Sequence, residues 1–284
     1  MGQSFYEADA DARAVFDEAS ELLGYDMKAL CFEENEKLNL TQYTQPAMVT
    51  TGIAIMKVVE KQGLLPDTAA GLSLGEYEAL YAAGALSVTD AIRVVARRGE
   101  LMEAAVPAGV GAMAAVLGAE ASLIEETLSE IPEVWIANYN CPGQIVISGK
   151  KEAVEAAAEA LKARGIKRVL MLNVSGPFHS GLLREAGEEL GKVLAETEIH
   201  PLRIPYYANV TGGIVEDAAK VRGLLTEQVY SSVRFEQSIR NMLSAGVDTF
   251  YELGPGKTLA GFVKKIDRAA TVVNIETMED LAKL

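Results

Sequence analysis

The chain has 284 residues, 49% hydrophobic and 23% charged, the balance of a globular chain long enough to bury a sizeable core. Asp and Glu outnumber Lys and Arg by 40 to 26, a formal net charge of -14 that argues against nucleic acid or an anionic membrane surface as partner. No window approaches the ~18 uninterrupted apolar residues of a membrane span, the first residues lack the basic-then-apolar order of a signal peptide, and Cys31 and Cys141 have no disulfide or zinc-site spacing. The expected location is cytoplasmic.

Residues 11–23 carry apolar side chains at helical spacing, with Gly24 as a stop. A second helix is expected from Thr44, with Pro46 in its first turn, to a break at Gly63. From Asp67 the chain reads as a short buried strand, a tight turn through Ser73 and a small-residue helix to about Gly84, then a helix over residues 89–102. Residues 111–117 are strand-like and 122–129 helical. Residues 134–138 and 144–148 form a hairpin around Tyr139-Asn140-Cys141-Pro142-Gly143, followed by a helix over 151–164 and a strand over 167–173. This β-α-β-β-α-β order is that of a ferredoxin-like insert, placed at residues 107–175. A helix over 181–195, a short strand over 204–209, a mostly helical stretch over 221–243, a buried strand over 249–253, a helix to Val263 and a strand over 271–275 complete the chain. Strands alternating with helices and ending in Gly-rich turns predict an α/β fold with a mainly parallel sheet covered on both faces.

Gly71-Leu72-Ser73-Leu74-Gly75 fits the Gly-x-Ser-x-Gly nucleophile elbow, in which a serine on a sharp strand-to-helix turn needs unhindered neighbours two positions away. The same turn places the Leu74 N–H at a helix N-terminus, where it can stabilise an oxyanion. A serine needs a base, and only His179 and His200 are present. His200, before Pro201, reads as a surface residue. His179 lies where a strand gives way to a helix, the place where α/β sheets carry functional loops, and a helix N-terminus disfavours its charged form. No acid stands out between Ser73 and His179, where the hydrolase order of serine, acid and histidine would want one, so a backbone carbonyl is expected to orient the imidazole, with Gly254-Pro255-Gly256 as the candidate source. Arg98 is either a charge closing its helix or a fork for a substrate carboxylate. Asn138 and Asn140 read first as turn-capping residues, and Met102 and Met113 as core filler.

Thr44-Gln45-Pro46-Ala47, Gly71 to Tyr77, Arg98-Gly99, residues 107–118, Asn138 to Gly149, Val174 to His179 and Glu252 to Leu259 together resemble the bacterial malonyl-CoA:acyl carrier protein transacylase family, in order and over nearly the whole chain. The resemblance implies an α/β-hydrolase-like large domain at residues 1–106 and 176–284, carrying the insert at 107–175. It implies that Ser73 takes malonyl from coenzyme A as an ester and passes it to the phosphopantetheine thiol of acyl carrier protein. His179 would be base then acid, Arg98 would hold the malonyl carboxylate, and Gln45, Asn138, Asn140 and Phe178 are further expected substrate contacts. No cofactor or metal is implied, since the coenzyme A thioester is itself a substrate. Family members begin with a buried strand and a Gln-containing loop that supplies a second oxyanion donor, and neither has a counterpart ahead of Met1-Gly2-Gln3-Ser4. The carrier protein, acidic in this family, would meet the basic clusters at Lys150-Lys151, 162–168 and 257–268. A serine hydrolase passing acyl groups to water and a non-catalytic carrier-binding remnant are the other readings.

Overall fold

The computed structural model describes residues 1–174 and 176–284; Ser175, the expected end of the insert, lies outside the described residues. Four helices lead the chain, α1 (Gln3–Ala8), α2 (Ala10–Leu23), α3 (Met27–Phe32) and α4 (Thr41–Lys61). Strand β1 (Ala69–Ala70) follows, then α5 (Gly75–Ala82) and α6 (Val88–Ala104). The middle of the chain gives β2 (Gly111–Leu117), α7 (Ala121–Ser129), β3 (Val134–Cys141), β4 (Gln144–Lys150), α8 (Lys151–Ala163) and β5 (Arg168–Met171). The remainder is α9 (Arg184–Glu196), β6 (Tyr206–Tyr207), β7 (Ile214–Val215), α10 (Val221–Gln228), α11 (Phe235–Ser244), β8 (Thr249–Leu253), α12 (Thr258–Ile266), β9 (Thr271–Ile275) and α13 (Met278–Leu281).

Local chemistry sets several of these boundaries. Asp9 opens α2 by accepting the Asp11 and Ala12 N–H groups at 2.8 and 3.3 Å, and Gly24 closes it in left-handed backbone at φ 74°. Helix α4 starts at Thr41, three residues before the expected Thr44, so Pro46 stands in its second turn rather than its first. The reason is tertiary: Glu103 of α6 accepts the Gln42 N–H at 2.9 Å and caps the added turn. Close approach of the two helices needs Gly99, where a Cβ would fall 2.8 Å from the Thr41 carbonyl oxygen.

Two parallel pairs stand where a mainly parallel sheet was expected, β1 with β6 and β8 with β9, and β7 adds to β6 antiparallel. Adjacent residues point to opposite faces: Tyr206 packs in the cluster of Ile53, Tyr77, Ile92 and Leu190, and Tyr207 in that of Phe235, Ile239 and Phe262. Strand β8, expected to be buried, leaves Tyr251 40% exposed and is half of a two-stranded sheet with β9. Strands β2 to β5 form an antiparallel sheet in the order β3-β4-β2-β5. On one face Ala114, Val116, Ile145 and Ile147 pack with Ile124, Val154 and Leu161 of α7 and α8; on the other Met113, Ala137 and Val146 meet Phe178. The second face is a wall of the cavity described below.

One reading is corrected and one refined. The hairpin turns at Pro142-Gly143, so Asn138 and Asn140 sit inside β3 rather than in a turn, because the strand runs on to Cys141. The stretch 221–243 is two helices. The segment between α10 and α11 is drawn to β3, with Tyr139 N–H donating to the Val233 carbonyl at 2.9 Å and Val233 N–H to that of Ala137 at 2.8 Å, so α10 stops at Gln228. No helix among the described residues is long and apolar enough to cross a membrane.

Placing a branched side chain at Gly99 should push α6 from α4. Gly99→Val is expected to lower stability by about 1–3 kcal/mol, read as a lower urea midpoint with unchanged slope.

Candidate active site

The turn after β1 puts Ser73 in left-handed backbone at φ 52°, a conformation costly for a residue with a Cβ. Its neighbours hold it there. The Oδ1 of Asn209 accepts the Ser73 N–H at 2.6 Å, the Nδ2 of Asn209 donates to the Gly71 carbonyl at 2.6 Å, and the Nε2 of Gln228 donates to the Ser73 carbonyl at 2.8 Å. Gly71 is required sterically, since a Cβ there would lie 2.0 Å from the carbonyl carbon of Gly75. Gly75 is not, because a Cβ there meets nothing within 4 Å; the elbow needs a glycine on one side only. Gly75 and Glu76 donate to the carbonyls of Leu72 and Ser73, and among the described residues no acceptor meets the Leu74 N–H, which stays available at the head of α5.

His179 is also in left-handed backbone, at φ 56°, and is 4% exposed. Its Nε2 lies 2.7 Å from the Ser73 Oγ and its Nδ1 2.8 Å from the Gln228 carbonyl oxygen. A carbonyl only accepts, so the Nδ1 carries the ring proton and donates it, leaving the Nε2 as acceptor for the Ser73 hydroxyl. Burial, and then the charge of Arg98, push the imidazole pKa down to about 4. The expected backbone carbonyl is therefore present but comes from Gln228, whose C=O is freed because α10 ends there. Gly254-Pro255-Gly256 is elsewhere: Pro255 lines a separate cavity of about 380 Å³ with Met1, Gly2, Thr51, Glu276 and Thr277.

Arg98 is 1% exposed and has no carboxylate in ion-pair reach among the described residues. Neutral acceptors hold it instead: the Nη1 donates to the Gln45 Oε1 at 2.8 Å, and the Nη2 to the Ser73 Oγ and the Gln228 Oε1, each at 3.0 Å. Its guanidinium stands over the Tyr77 ring at 5.5 Å, and its Nε has no hydrogen-bond partner among the described residues. A buried cation whose direct hydrogen-bond partners are all neutral is a receptor for an anion.

These groups open into a cavity of about 260 Å³ whose walls include Gln45, Leu74, Met102, Met113, Asn138 and Phe178. Of the expected contacts, Gln45 works by holding Arg98, and Asn138 and Phe178 line the cavity. Asn140 is buried in β3 and is not among the lining residues. Met102 and Met113, expected as core filler, are buried but form cavity walls, and Leu172 and Val174 are further lining residues absent from the sequence reading. His200 is a surface residue beside Glu198, 3.6 Å away. Of the basic clusters, Lys150, Lys162 and Arg164 are engaged by Glu133, Glu159 and Glu126, whereas Lys151, Lys167, Arg168 and Lys257 have no ion-pair partner among the described residues. Among those residues no group of His, Cys, Asp and Glu could hold a metal ion.

A serine hydroxyl shared between a neutral imidazole and a buried guanidinium, with a free N–H at a helix head, defines a nucleophilic acyl-transfer site. Residues 1–279 match the acyl transferase domain family, and the chain belongs to it. Within that family its relatives include malonyl CoA-acyl carrier protein transacylases. That of Bacillus subtilis (strain 168) is 46% identical over 99% of this chain and 90% of its own length. The crystal structure of the Streptococcus pneumoniae enzyme superposes with a TM-score of 0.96 at 44% identity, over 100% of this chain and 93% of that one. A malonyl-transacylase solved in complex with its type II polyketide acyl-carrier protein superposes with a TM-score of 0.96 at 38% identity, covering 100% and 93%.

Because Gly71 is sterically required, Gly71→Ala is expected to cost about 1–3 kcal/mol of stability and to misplace Ser73, lowering the rate of acyl-serine formation about 100-fold. Stopped-flow acylation of the folded variant measures this.

Proposed function

We propose that this protein transfers malonyl from malonyl-CoA to the phosphopantetheine thiol of acyl carrier protein, with Ser73 as nucleophile and His179 as base then acid. The observation that carries the reading is the Arg98 Nη2 at 3.0 Å from the same Ser73 Oγ that meets the His179 Nε2 at 2.7 Å. An acyl group bound to Ser73 thus grows toward a buried cation, and malonyl is a short acyl group that ends in a carboxylate.

The Ser73 proton passes to the His179 Nε2 as Oγ attacks the thioester carbonyl carbon, and the oxyanion accepts the Leu74 N–H. The tetrahedral adduct collapses, the C–S bond breaks, and His179 returns the proton to the departing coenzyme A sulfur. In the second half the carrier-protein thiol gives its proton to His179, its sulfur attacks the malonyl ester, and Ser73 leaves as the alcohol. The Gln228 carbonyl holds the ring through both halves and balances the transient imidazolium, the role an acid has in hydrolases. The thioester brings its own activation, so no cofactor is needed, and the cytoplasm, where the reaction would supply fatty acid synthesis, is the proposed location. The antiparallel order β3-β4-β2-β5 with its own apolar core supports a ferredoxin-like domain at 107–175, and the parallel pairs between helical layers support an α/β-hydrolase-like domain at 1–106 and 176–284.

Brief incubation with malonyl-CoA should add one malonyl group to Ser73, seen by intact mass and absent in Ser73→Ala. Arg98→Ala should reduce the preference for malonyl-CoA over acetyl-CoA by at least about 100-fold, since acetyl leaves the buried cation unpaired in the native protein; a preserved preference contradicts the role of Arg98.

The imidazole must be neutral to accept the Ser73 proton, and its depressed pKa keeps it so well below neutrality. The acid limb of kcat/KM governed by His179 is expected near pH 4 instead of near 6.5, measured in buffers of constant ionic strength.

A further inference from the structure

Glu76 lies three residues after Ser73, is 0% exposed, and takes no part in the chemistry above. Its Oε2 accepts the Gln228 Nε2 at 2.7 Å and the Asn209 N–H at 3.2 Å. Those two residues are the ones that clamp the Ser73 backbone. Gln228 does more, since its main-chain carbonyl orients His179 and its Oε1 accepts from Arg98. Donor direction fixes this amide: Arg98 only donates and an ionised carboxylate only accepts, so Gln228 must turn its oxygen to the former and its NH₂ to the latter. Without an acceptor at position 76 the amide could rotate, and both its hold on the Ser73 carbonyl and the aim of the carbonyl at His179 would be lost.

We propose that Glu76 is a positioning residue that anchors Gln228 and Asn209, and through them holds Ser73, His179 and Arg98 in their working arrangement, while acting as the counter-charge of Arg98 one amide away. This rests on the reading of Ser73 as the malonyl-accepting nucleophile. The titratable groups around Glu76 are Arg98 of α6, Tyr206 of β6, which faces the carboxyl without a formed hydrogen bond, and Tyr77 beside it on α5; α10 and the chain after β6 present the neutral amides of Gln228 and Asn209. Burial lifts the carboxyl to about 7, against the hydrogen bonds of Gln228 and Asn209 and the charge of Arg98, so at pH 8 it is mostly ionised.

Two variants separate anchoring from charge in steady-state assays with malonyl-CoA and acyl carrier protein at pH 8, with kcat expressed per serine malonylated by intact mass. Glu76→Gln keeps an acceptor oxygen and loses the charge. It should retain the fold, lower kcat about threefold to tenfold, and lower KM for malonyl-CoA about threefold, because Arg98 then faces the malonyl carboxylate without a resident anion. Glu76→Leu removes the acceptor and should lower kcat at least about 100-fold. A fall in melting temperature with both constants unchanged per malonylated serine would overturn the proposal, and so would an unchanged or raised KM in Glu76→Gln, which decides the matter even if Glu76→Leu fails to fold. Failure of the unmutated protein to take malonyl on Ser73 would instead defeat the reading beneath it.

Discussion

A guanidinium with 1% exposure and no carboxylate in ion-pair reach has to be held by neutral oxygens, and Gln45, Ser73 and Gln228 are those oxygens in this protein. Desolvating a cation is costly, so each acceptor around Arg98 is committed, and its freedom to serve elsewhere is limited. Gln45 is buried in α4 for this purpose, and the Gln228 side chain cannot turn without releasing the cation. The same charge disfavours a second cation nearby, which helps keep His179 neutral and basic toward the serine. One buried residue thereby adds to the effect of burial on the His179 imidazole and, in the proposed function, supplies the charge that receives an acidic acyl group.

The orienting carbonyl shows how the separate parts of the fold depend on one another. Helix α10 ends at Gln228 because the following segment exchanges hydrogen bonds with β3, a strand of the antiparallel sheet. The bonds that join this segment to the antiparallel sheet also free the carbonyl that receives the His179 Nδ1–H. The same β-sheet turns Met113, Ala137 and Val146 toward Phe178, one residue before the base, so its apolar face fixes the approach to the histidine.

How far the site was legible in the sequence follows from the range of the interactions involved. Gly71 and Ser73 are close in the chain, and their steric requirement is local, so the elbow could be read directly; Gly75 was over-read, because the space beside it depends on neighbours in the fold. His179 was accessible by elimination and by its place between a strand and a helix. Gln228 acts through a main-chain atom that every residue possesses, in a stretch of helical composition, and only the pairing of Val233 with β3 breaks that helix. Gly254-Pro255-Gly256 looked rigid enough to supply the carbonyl, but rigidity says nothing about direction. Asn209 carried one usable signal, a polar amide at the end of the strand expected over 204–209, and Glu76 another, an acid next to the elbow glycine in a helix otherwise rich in apolar residues. The extra turn of α4 depended on Glu103, sixty-one positions away from Gln42, and lay beyond any local pattern.

Both Ser73 and His179, the proposed nucleophile and base, sit in backbone that side-chain-bearing residues avoid, at φ 52° and 56°. Each such residue carries a conformational penalty of about 1–2 kcal/mol that glycine escapes. The protein is therefore folded against its own local preference at the two positions proposed to carry the chemistry, and the surrounding amides supply the restraint. Selection for robustness and selection for turnover then pull in opposite directions at Ser73 and His179. A lineage freed from the need to transfer acyl groups would be expected to drift toward glycine there, gaining a more relaxed fold as it lost its reaction.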